Sequence, residues 1–408
     1  MQTFSFFRLM YEIFKKGEAD IERIQRMGLL AVKIAQMFAL RIDFLSPQKC
    51  VQLSKLLQDN TTIDDVPFDQ LLLQNGLQGQ KLLDALATID KVPFASASVA
   101  QVHLGTLKSG QKVAVKLLKS DYVSRFESDV KQVSRLFELA IKFYPKLQKV
   151  ANPIAVLEMI KNDTLNELNL PREYAHHQML QQIHQKHAKE VDLSALNFQS
   201  IYPDLMAKGI LVSDFIPGAT FETLLSENRL SYEQLLKLFH LHGFYIFSVG
   251  VFHGDLHPGN VMWWNDQIYF IDCGALGLVE DHLRVGLFRF MKSLSDFDFV
   301  NCASSLHQMS EVQLSQVAYR QFEVKFLELY SDFANKTVSQ VSLTMQMMET
   351  IKLGVHSGMS FSKGMFPVIK SLMYLDGMVR RANPNAILMK DMRPYVAELE
   401  RYVAGGTL

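Results

Sequence analysis

Residues 252–274 read FHGDLHPGNVMWWNDQIYFIDCG, and the order of oxygen-bearing side chains in this stretch decides the reading of the whole chain. Asp255, Asn260 and Asp272 follow one another at intervals of five and twelve residues. Phosphoryl transfer needs a carboxylate beside the attacking hydroxyl, together with hard oxygen ligands for a magnesium ion that bridges the phosphates. Asp255 suits the catalytic role, and Asn260 and Asp272 suit the metal. A surface loop rich in turn formers would use the same residue types. Against it, strand-like Ile268-Tyr269-Phe270-Ile271 runs directly into Asp272, and Gly274 follows.

Working upstream, residues 93–116 read PFASASVAQVHLGTLKSGQKVAVK. From Pro93 the apolar period is two, broken by Lys108-Ser109-Gly110, so a β-hairpin is expected with Lys116 on its outgoing strand. Protein kinases carry their phosphate-binding lysine on such a strand. Taken alone, VAVK is equally a half-buried strand with a snorkelling lysine. Ala95, Ser96, Ala97 and Ser98 stand where a glycine-rich loop would be, and small side chains still let backbone N–H groups approach phosphates.

Further out, residues 1–90 read as helical, with apolar positions at three and four in Ile24, Met27, Leu30, Ile34, Met37 and Phe38. Residues 121–190 form a long polar-apolar helical stretch in which Pro171 starts or breaks a helix, and GILVSDFI at 209–216 is a further strand. Beyond Pro217-Gly218 the pattern is helical except around 252–274. The pattern describes a small β-containing lobe followed by a large helical one.

Composition narrows the function. The 42 basic residues balance 42 acidic ones, so no long-range field gathers nucleic acid. Three dispersed cysteines, Cys50, Cys273 and Cys302, form no CxxC pair, which favours a reducing cytoplasmic setting without a zinc or disulfide framework. The N-terminal residues lack the features of a secretory signal, and no apolar run approaches a membrane span. Phe4, Phe7, Tyr11 and Phe14 share one helical face beside Lys15 and Lys16. Core packing is the favoured explanation of that stripe, and peripheral membrane contact the other.

Successively, PFASASVAQVH, GQKVAVK, NELNLPREYA, FHGDLHPGN and IDCG resemble the motifs of the UbiB family of atypical kinases. Lys33-Ile34-Ala35-Gln36 is similar to that family's K-x-G-Q helix, with Ala35 in place of glycine. Arg41, Asp43 and Pro47 follow in the manner of its R-x-D-x-x-P segment, with one extra residue. The similarity reaches SLMYLDGMVRRANP near the C-terminus, covering about residues 25–395.

The resemblance implies an α+β, bilobal protein-kinase-like fold with an N-terminal helical extension and a large helical C-lobe. Its parts would be 1–90 as the extension, 91–216 as the small lobe with a helical insertion, and 217–408 as the large lobe with the catalytic loop. It implies ATP and Mg2+ as cofactors. Lys116 becomes the α/β-phosphate contact, Glu173 its ion-pair partner and Asp214 a residue of the adenine-binding hinge. From spacing alone Glu127 competes with Glu173. Lys33, Gln36 and Glu167 would belong to the regulatory extension, whose presence argues against transfer to protein substrates. Asn169 stands where the family pattern E-x-D-x-x-x-E has aspartate.

The function so implied is an ATP- and magnesium-dependent atypical kinase or ATPase that assists ubiquinone or other isoprenoid-lipid metabolism, with isoprenoid lipids or quinone-biosynthesis proteins as partners. A nucleotide-binding switch without turnover and a small-molecule kinase of the aminoglycoside or choline type are the alternatives. His253 and His257 are four apart, but Gly254 and Pro258 deny them the helix a zinc pair would use. His184 and His187 read as solvated helix positions, and the methionines as adaptable packing.

Overall fold

The computed structural model describes residues 3–39, 45–58, 66–96, 99–143, 153–362 and 364–403. The chain divides into two compact units. The first comprises Met1–His177 and Gln199–Pro217, the second Gln178–Phe198 and Gly218–Leu408. Residues 178–198, expected within the small lobe, belong to the second unit.

The first unit begins with helices α1 (Thr3–Phe14), α2 (Ile21–Arg26), α3 (Leu29–Ala39), α4 (Pro47–Gln58), α5 (Phe68–Leu73) and α6 (Gly76–Ala85). Its sheet is antiparallel, in the order β1 (Leu86–Ile89), β3 (Ala100–Leu107), β4 (Lys112–Leu118) and β6 (Ile210–Asp214), with β2 (Ala95–Ser96) also pairing β3. The expected hairpin is β3–β4, and its turn contains Gly110 at φ 88°. Period two is visible in the packing: Val113, Val115 and Leu117 are fully buried against Leu71, Leu82, Ile210 and Val212. Each such aliphatic side chain contributes about 1.5–3 kcal/mol. The alternate residue, Lys116, is thereby turned to the other face.

Helices α7 (Ser120–Phe143), α8 (Pro153–Glu167) and α9 (Leu170–His187) fill the expected helical stretch, and Pro171 lies in the first turn of α9. Strand β1 was not legible, because it lies within the segment whose pattern is helical. Its register with β3 is irregular between Leu86 and Thr88.

Helix α1 has two unlike faces. Phe6, Leu9 and Ile13 are buried, as is Glu12, which pairs with Lys15 and, at 2.8 Å, with Arg23 of α2. Phe4, Phe7 and Tyr11 are 74, 64 and 63% exposed and Phe14, edge-on to Phe38 of α3, is 48% exposed, so most of the aromatic stripe does not serve core packing as favoured. Burial works against the Glu12 charge, yet hydrogen bonds from Lys15, the Asp20 amide and Arg23 hold its carboxyl at about 2 rather than 4.5. A carboxyl whose pKa is lowered by folding stabilises the fold above its unfolded value, and that contribution is lost as pH falls through the folded value. The melting temperature is therefore expected to fall between about pH 4.5 and 2, with Glu12→Gln flattening this limb. An unchanged limb in the variant, followed by circular dichroism, would contradict the assignment.

The second unit continues with α10 (Phe221–Ser226), α11 (Tyr232–Gly243), α12 (Asp281–Ser295), α13 (Phe299–Met309), α14 (Gln316–Leu329), α15 (Leu343–His356), α16 (Met365–Ala382) and α17 (Leu388–Val403). One sheet runs β5 (Leu196–Asn197), β10 (Gln267–Phe270), β9 (Val261–Trp264) and β7 (Ala219–Thr220), and a second pairs β8 (Val251–His253) with β11 (Leu276–Leu278). Asn265 and Asp266, at φ 51° and 58°, make the tight β9–β10 turn. Helix α11 has a Ser231/Gln234 capping box and leads into a π-helical turn, Phe244–Val249. Gly250 closes that turn at φ 80°, its N–H bonding Tyr245 O at 2.8 Å, while Arg284 donates to the carbonyls of Phe247 and Ser248. The wide turn thus keeps its backbone satisfied although α spacing is broken.

Met347 and Met348 are buried, and a cavity of about 40 Å3 lies among Phe247, Met291, Met309, Met347 and Met365. Engineered cavities that admit benzene measure about 150 Å3, so packing accounts for these methionines better than a lipid chain does. His187 is buried against Phe244 rather than solvated, and His184 bonds Leu193 O at 3.1 Å. Among the described residues no helix is long and apolar enough to cross a membrane.

Candidate active site

The segment 253–275, which contains the β9–β10 hairpin, is closed on itself by hydrogen bonds. Its first anchor is β8, where Gly254 N–H donates to Ala275 O at 2.9 Å. A Cβ on Gly254 would fall 2.9 Å from Gly277 N, so only glycine permits this approach. The second anchor is His253, which is buried. Its Nδ1 accepts from Asp255 N–H at 3.2 Å, which places the ring proton on Nε2, 3.0 Å from Ile271 O. Burial pushes this imidazole's pKa down and keeps it neutral, as the bond pattern requires. Both ring nitrogens are thus engaged, and His253 is no zinc ligand.

Asn260 is the third anchor. Its Nδ2 donates to Asp255 O at 3.0 Å, and its carbonyl accepts from Ile271 N–H at 3.0 Å. That orientation leaves Oδ1 as the amide's oxygen for a cation. Asp272 follows immediately, exposed and at φ 53°. Aspartate enters the left-handed region more readily than most residues, and such conformations concentrate at functional sites. Asp255, Asn260 and Asp272 are therefore brought into one loop system as their order implied.

The Asp255 side chain is 31% exposed, and Oδ1 receives Tyr374 Oη at 2.8 Å and Lys370 Nζ at 2.7 Å, both from α16. His257 Nε2 lies 4.0 Å from Oδ2. Burial pushes this carboxyl's pKa up, but Lys370, His257 and the Tyr374 hydroxyl together hold it far below the usual carboxylate range. A carboxylate held that low is a weak base, suited to orienting an acceptor hydroxyl and taking its proton late. The sequence reading did not find Lys370 or Tyr374. Their signal was a lysine and a tyrosine four apart within the apolar run of MFPVIKSLMYL.

In the first unit Lys116 Nζ pairs with Glu173 Oε2 at 2.8 Å, with side chains 15 and 5% exposed. Glu127 is exposed on α7. Ser96 accepts a hydrogen bond at 3.0 Å from Lys119, a buried lysine that sequence reading passed over. Ala95 is exposed, while Ala97 and Ser98 lie outside the described residues. The Asp214 carboxylate accepts from Gln111 Nε2 and Tyr202 Oη, each at 2.7 Å. Gln36 ties α3 to α4 through Leu56 O at 2.7 Å, and Lys33 is half-buried on the same helix. Arg41, Asp43 and the side chain of Glu167 lie outside the described residues.

Magnesium prefers oxygen ligands and keeps several waters, so an amide oxygen and an exposed carboxylate fit it. Among the described residues no three His, Cys, Asp or Glu side chains form a cage of their own. The loop can thus present a base and two oxygen donors to a phosphate-bound cation.

Residues 67–306 match the family model described as the ABC1 atypical kinase-like domain. The chain belongs to that family. Over 397 residues this ABC1 chain is 26% identical to a protein of Sodalis glossinidius named "Probable protein kinase UbiB", spanning 94% of this chain and 70% of that one. The resemblance to UbiB-family atypical kinases is thereby confirmed. Among solved structures, the Mycobacterium tuberculosis protein Rv3197, determined with erythromycin, aligns at TM-score 0.50 and 17% identity, covering 78% of this chain and 86% of its own. That likeness shows the fold: the ABC1 chain has the kinase-like α+β architecture with a helical C-terminal region.

Proposed function

We propose that this chain is a magnesium-dependent ATPase or atypical kinase that supports ubiquinone or other isoprenoid-lipid metabolism. The observation that carries the reading is the closed loop holding Asp255, Asn260 and Asp272 in their kinase order. Asn260 and Asp272 hold magnesium, which when bound neutralises charge on the phosphates. Lys116, braced by Glu173, contacts the α- and β-phosphates; Ala95, Ser96, Ala97 and Ser98 are carried over from the family as the phosphate-binding segment. Main chain near Asp214 meets adenine. Lys33, Gln36 and Glu167 belong to the regulatory extension. Thermal shift and phosphate release with Mg–ATP, on wild type, Lys116→Ala and Asp272→Asn, test the reading. Wild type should show both signals, and each variant should lose phosphate release. Stabilisation without release by wild type would replace this reading with a nucleotide switch. The name of the Sodalis relative supports the quinone assignment, which restored quinone content in a deletion strain would test.

Peripheral membrane contact is favoured by a separate observation. The exposed stripe Phe4, Phe7, Tyr11 and Phe14 lies beside exposed Arg8 and Lys16, while the opposite face of α1 is packed. Aromatic rings with adjacent cations suit the headgroup region of an anionic bilayer. Flotation with vesicles of phosphatidylcholine and phosphatidylglycerol should recover the wild type, and Phe7→Glu/Tyr11→Glu should reduce recovery at least tenfold. Equal recovery would remove the membrane from the list of partners.

A further inference from the structure

The carboxylate read above as the catalytic base is gripped by a helix more than a hundred residues further along the chain. Lys370 and Tyr374 stand one turn apart on α16, and both bond the same oxygen, Asp255 Oδ1, at 2.7 and 2.8 Å. The Lys370 ammonium also lies 5.7 Å from the centre of the Tyr374 ring, and its side chain is 19% exposed. An ammonium has three N–H donors, and Asp255 takes one. On the other oxygen, Oδ2, His257 is at 4.0 Å, beyond hydrogen-bond reach. The clamp therefore fixes Oδ1, and Oδ2 is the oxygen that an incoming hydroxyl would meet.

Helix α16 is itself firmly held. Asp376, 2% exposed, accepts from Ser342 Oγ at 3.1 Å and from Thr344 N–H and Oγ1 at 3.2 and 2.7 Å, which ties α16 to the start of α15. A cation presented from so constrained a helix needs little reorganisation when charge develops beside it.

We infer that Lys370 is a catalytic residue, whose ammonium contacts the transferred phosphoryl group, and that Tyr374 is a positioning residue that fixes the Asp255 carboxylate. The inference rests on Asp255 being the base. An acceptor oxygen hydrogen-bonded to Asp255 lies about 3 Å from that carboxylate, which brings the phosphoryl group it attacks into range of the lysine. In the step, the acceptor oxygen forms a bond to the γ-phosphorus and the bond to the β–γ bridging oxygen breaks. ADP leaves with the electron pair, and the acceptor proton passes to Asp255. Charge spread over the three equatorial oxygens is what Lys370 would meet.

The experiment compares turnover with binding of a transition-state mimic, Mg–ADP with aluminium fluoride, in wild type, Lys370→Met, Lys370→Arg, Tyr374→Phe and Asp255→Asn. Lys370→Met is expected to lower kcat by about 100- to 1,000-fold with KM for Mg–ATP within about threefold. It should keep the thermal stabilisation by Mg–ADP and lose the additional stabilisation by aluminium fluoride. Lys370→Arg, which keeps the charge, should recover at least tenfold of the lost rate. Tyr374→Phe should lower kcat about tenfold at unchanged KM. If Lys370→Met does not fold, Lys370→Gln takes its place in the same measurements. Wild-type kcat in Lys370→Met, or equal loss of Mg–ADP and aluminium fluoride stabilisation, overturns the role of Lys370. A wild type that neither turns over ATP nor binds the mimic would instead remove the parent reading, and with it this one. Activity in wild type and Lys370→Met with none in Asp255→Asn removes this inference alone.

Discussion

Asp255→Asn is expected to lower phosphate release from Mg–ATP by about 100- to 10,000-fold, the range for loss of a general base. The amide keeps the size of the side chain and can still accept from Tyr374 and Lys370 through one oxygen. What it loses is the charge and the ability to take a proton. The main-chain bonds that close the loop, from Asp255 N–H to His253 and from Asn260 to Asp255 O, do not involve the substituted group. Mg–ATP should therefore still raise the variant's melting temperature. At about 100 times its dissociation constant a ligand stabilises by about 2.7 kcal/mol whether or not it is hydrolysed. Turnover within tenfold of wild type would show that Asp255 is not the base.

Glu173→Ala is expected to destabilise the first unit by about 3 kcal/mol and to abolish stabilisation by Mg–ATP. The reason is the asymmetry of buried ion pairs: removing one partner costs more than the pair contributes, because the remaining charge stays desolvated. Here the carboxylate sits 2.8 Å from the Lys116 ammonium with both side chains largely shielded. Lys116→Met/Glu173→Leu should recover most of the stability, since apolar replacement of a buried pair is often neutral, while nucleotide stabilisation stays absent. Calorimetric melting with and without Mg–ATP separates the two effects. Full nucleotide stabilisation in the double variant would deny Lys116 its phosphate role.

The local signals were the reliable ones. Alternation from Val99 to Leu118 announced the β3–β4 hairpin, and the short runs VMWW and QIYF announced β9 and β10, because strand period and turn residues are properties of neighbouring positions. The loop bearing Asp255, Asn260 and Asp272 was legible for the same reason. The Lys116–Glu173 contact was not decided by spacing, since 57 positions separate its members; the resemblance chose Glu173, and the 2.8 Å geometry agrees. Lys370 and Tyr374 were missed because the face that α16 turns to Asp255 depends on helix packing across 119 positions. Strand β1 was missed because the sheet overrode a helical local pattern. For α1, the aromatic stripe was favoured as the packed face, and only the structure revealed that Leu9 and Ile13 turn inward while Phe7 and Tyr11 face water.

The π-helical turn at Phe244–Val249 has a consequence for how this chain can vary. It acts as a spare residue stored in the peptide immediately before β8. Deleting one residue there would let the ladder close with ordinary spacing and draw the following chain back by about 1.5 Å with a rotation of about 100°. Val251 to His253 would then slip against Leu276 to Leu278, and Asp255 would leave the reach of Lys370. Backbone length, as much as side-chain identity, sets where the carboxylate stands, and homologues that shorten this turn would need a different anchor for it.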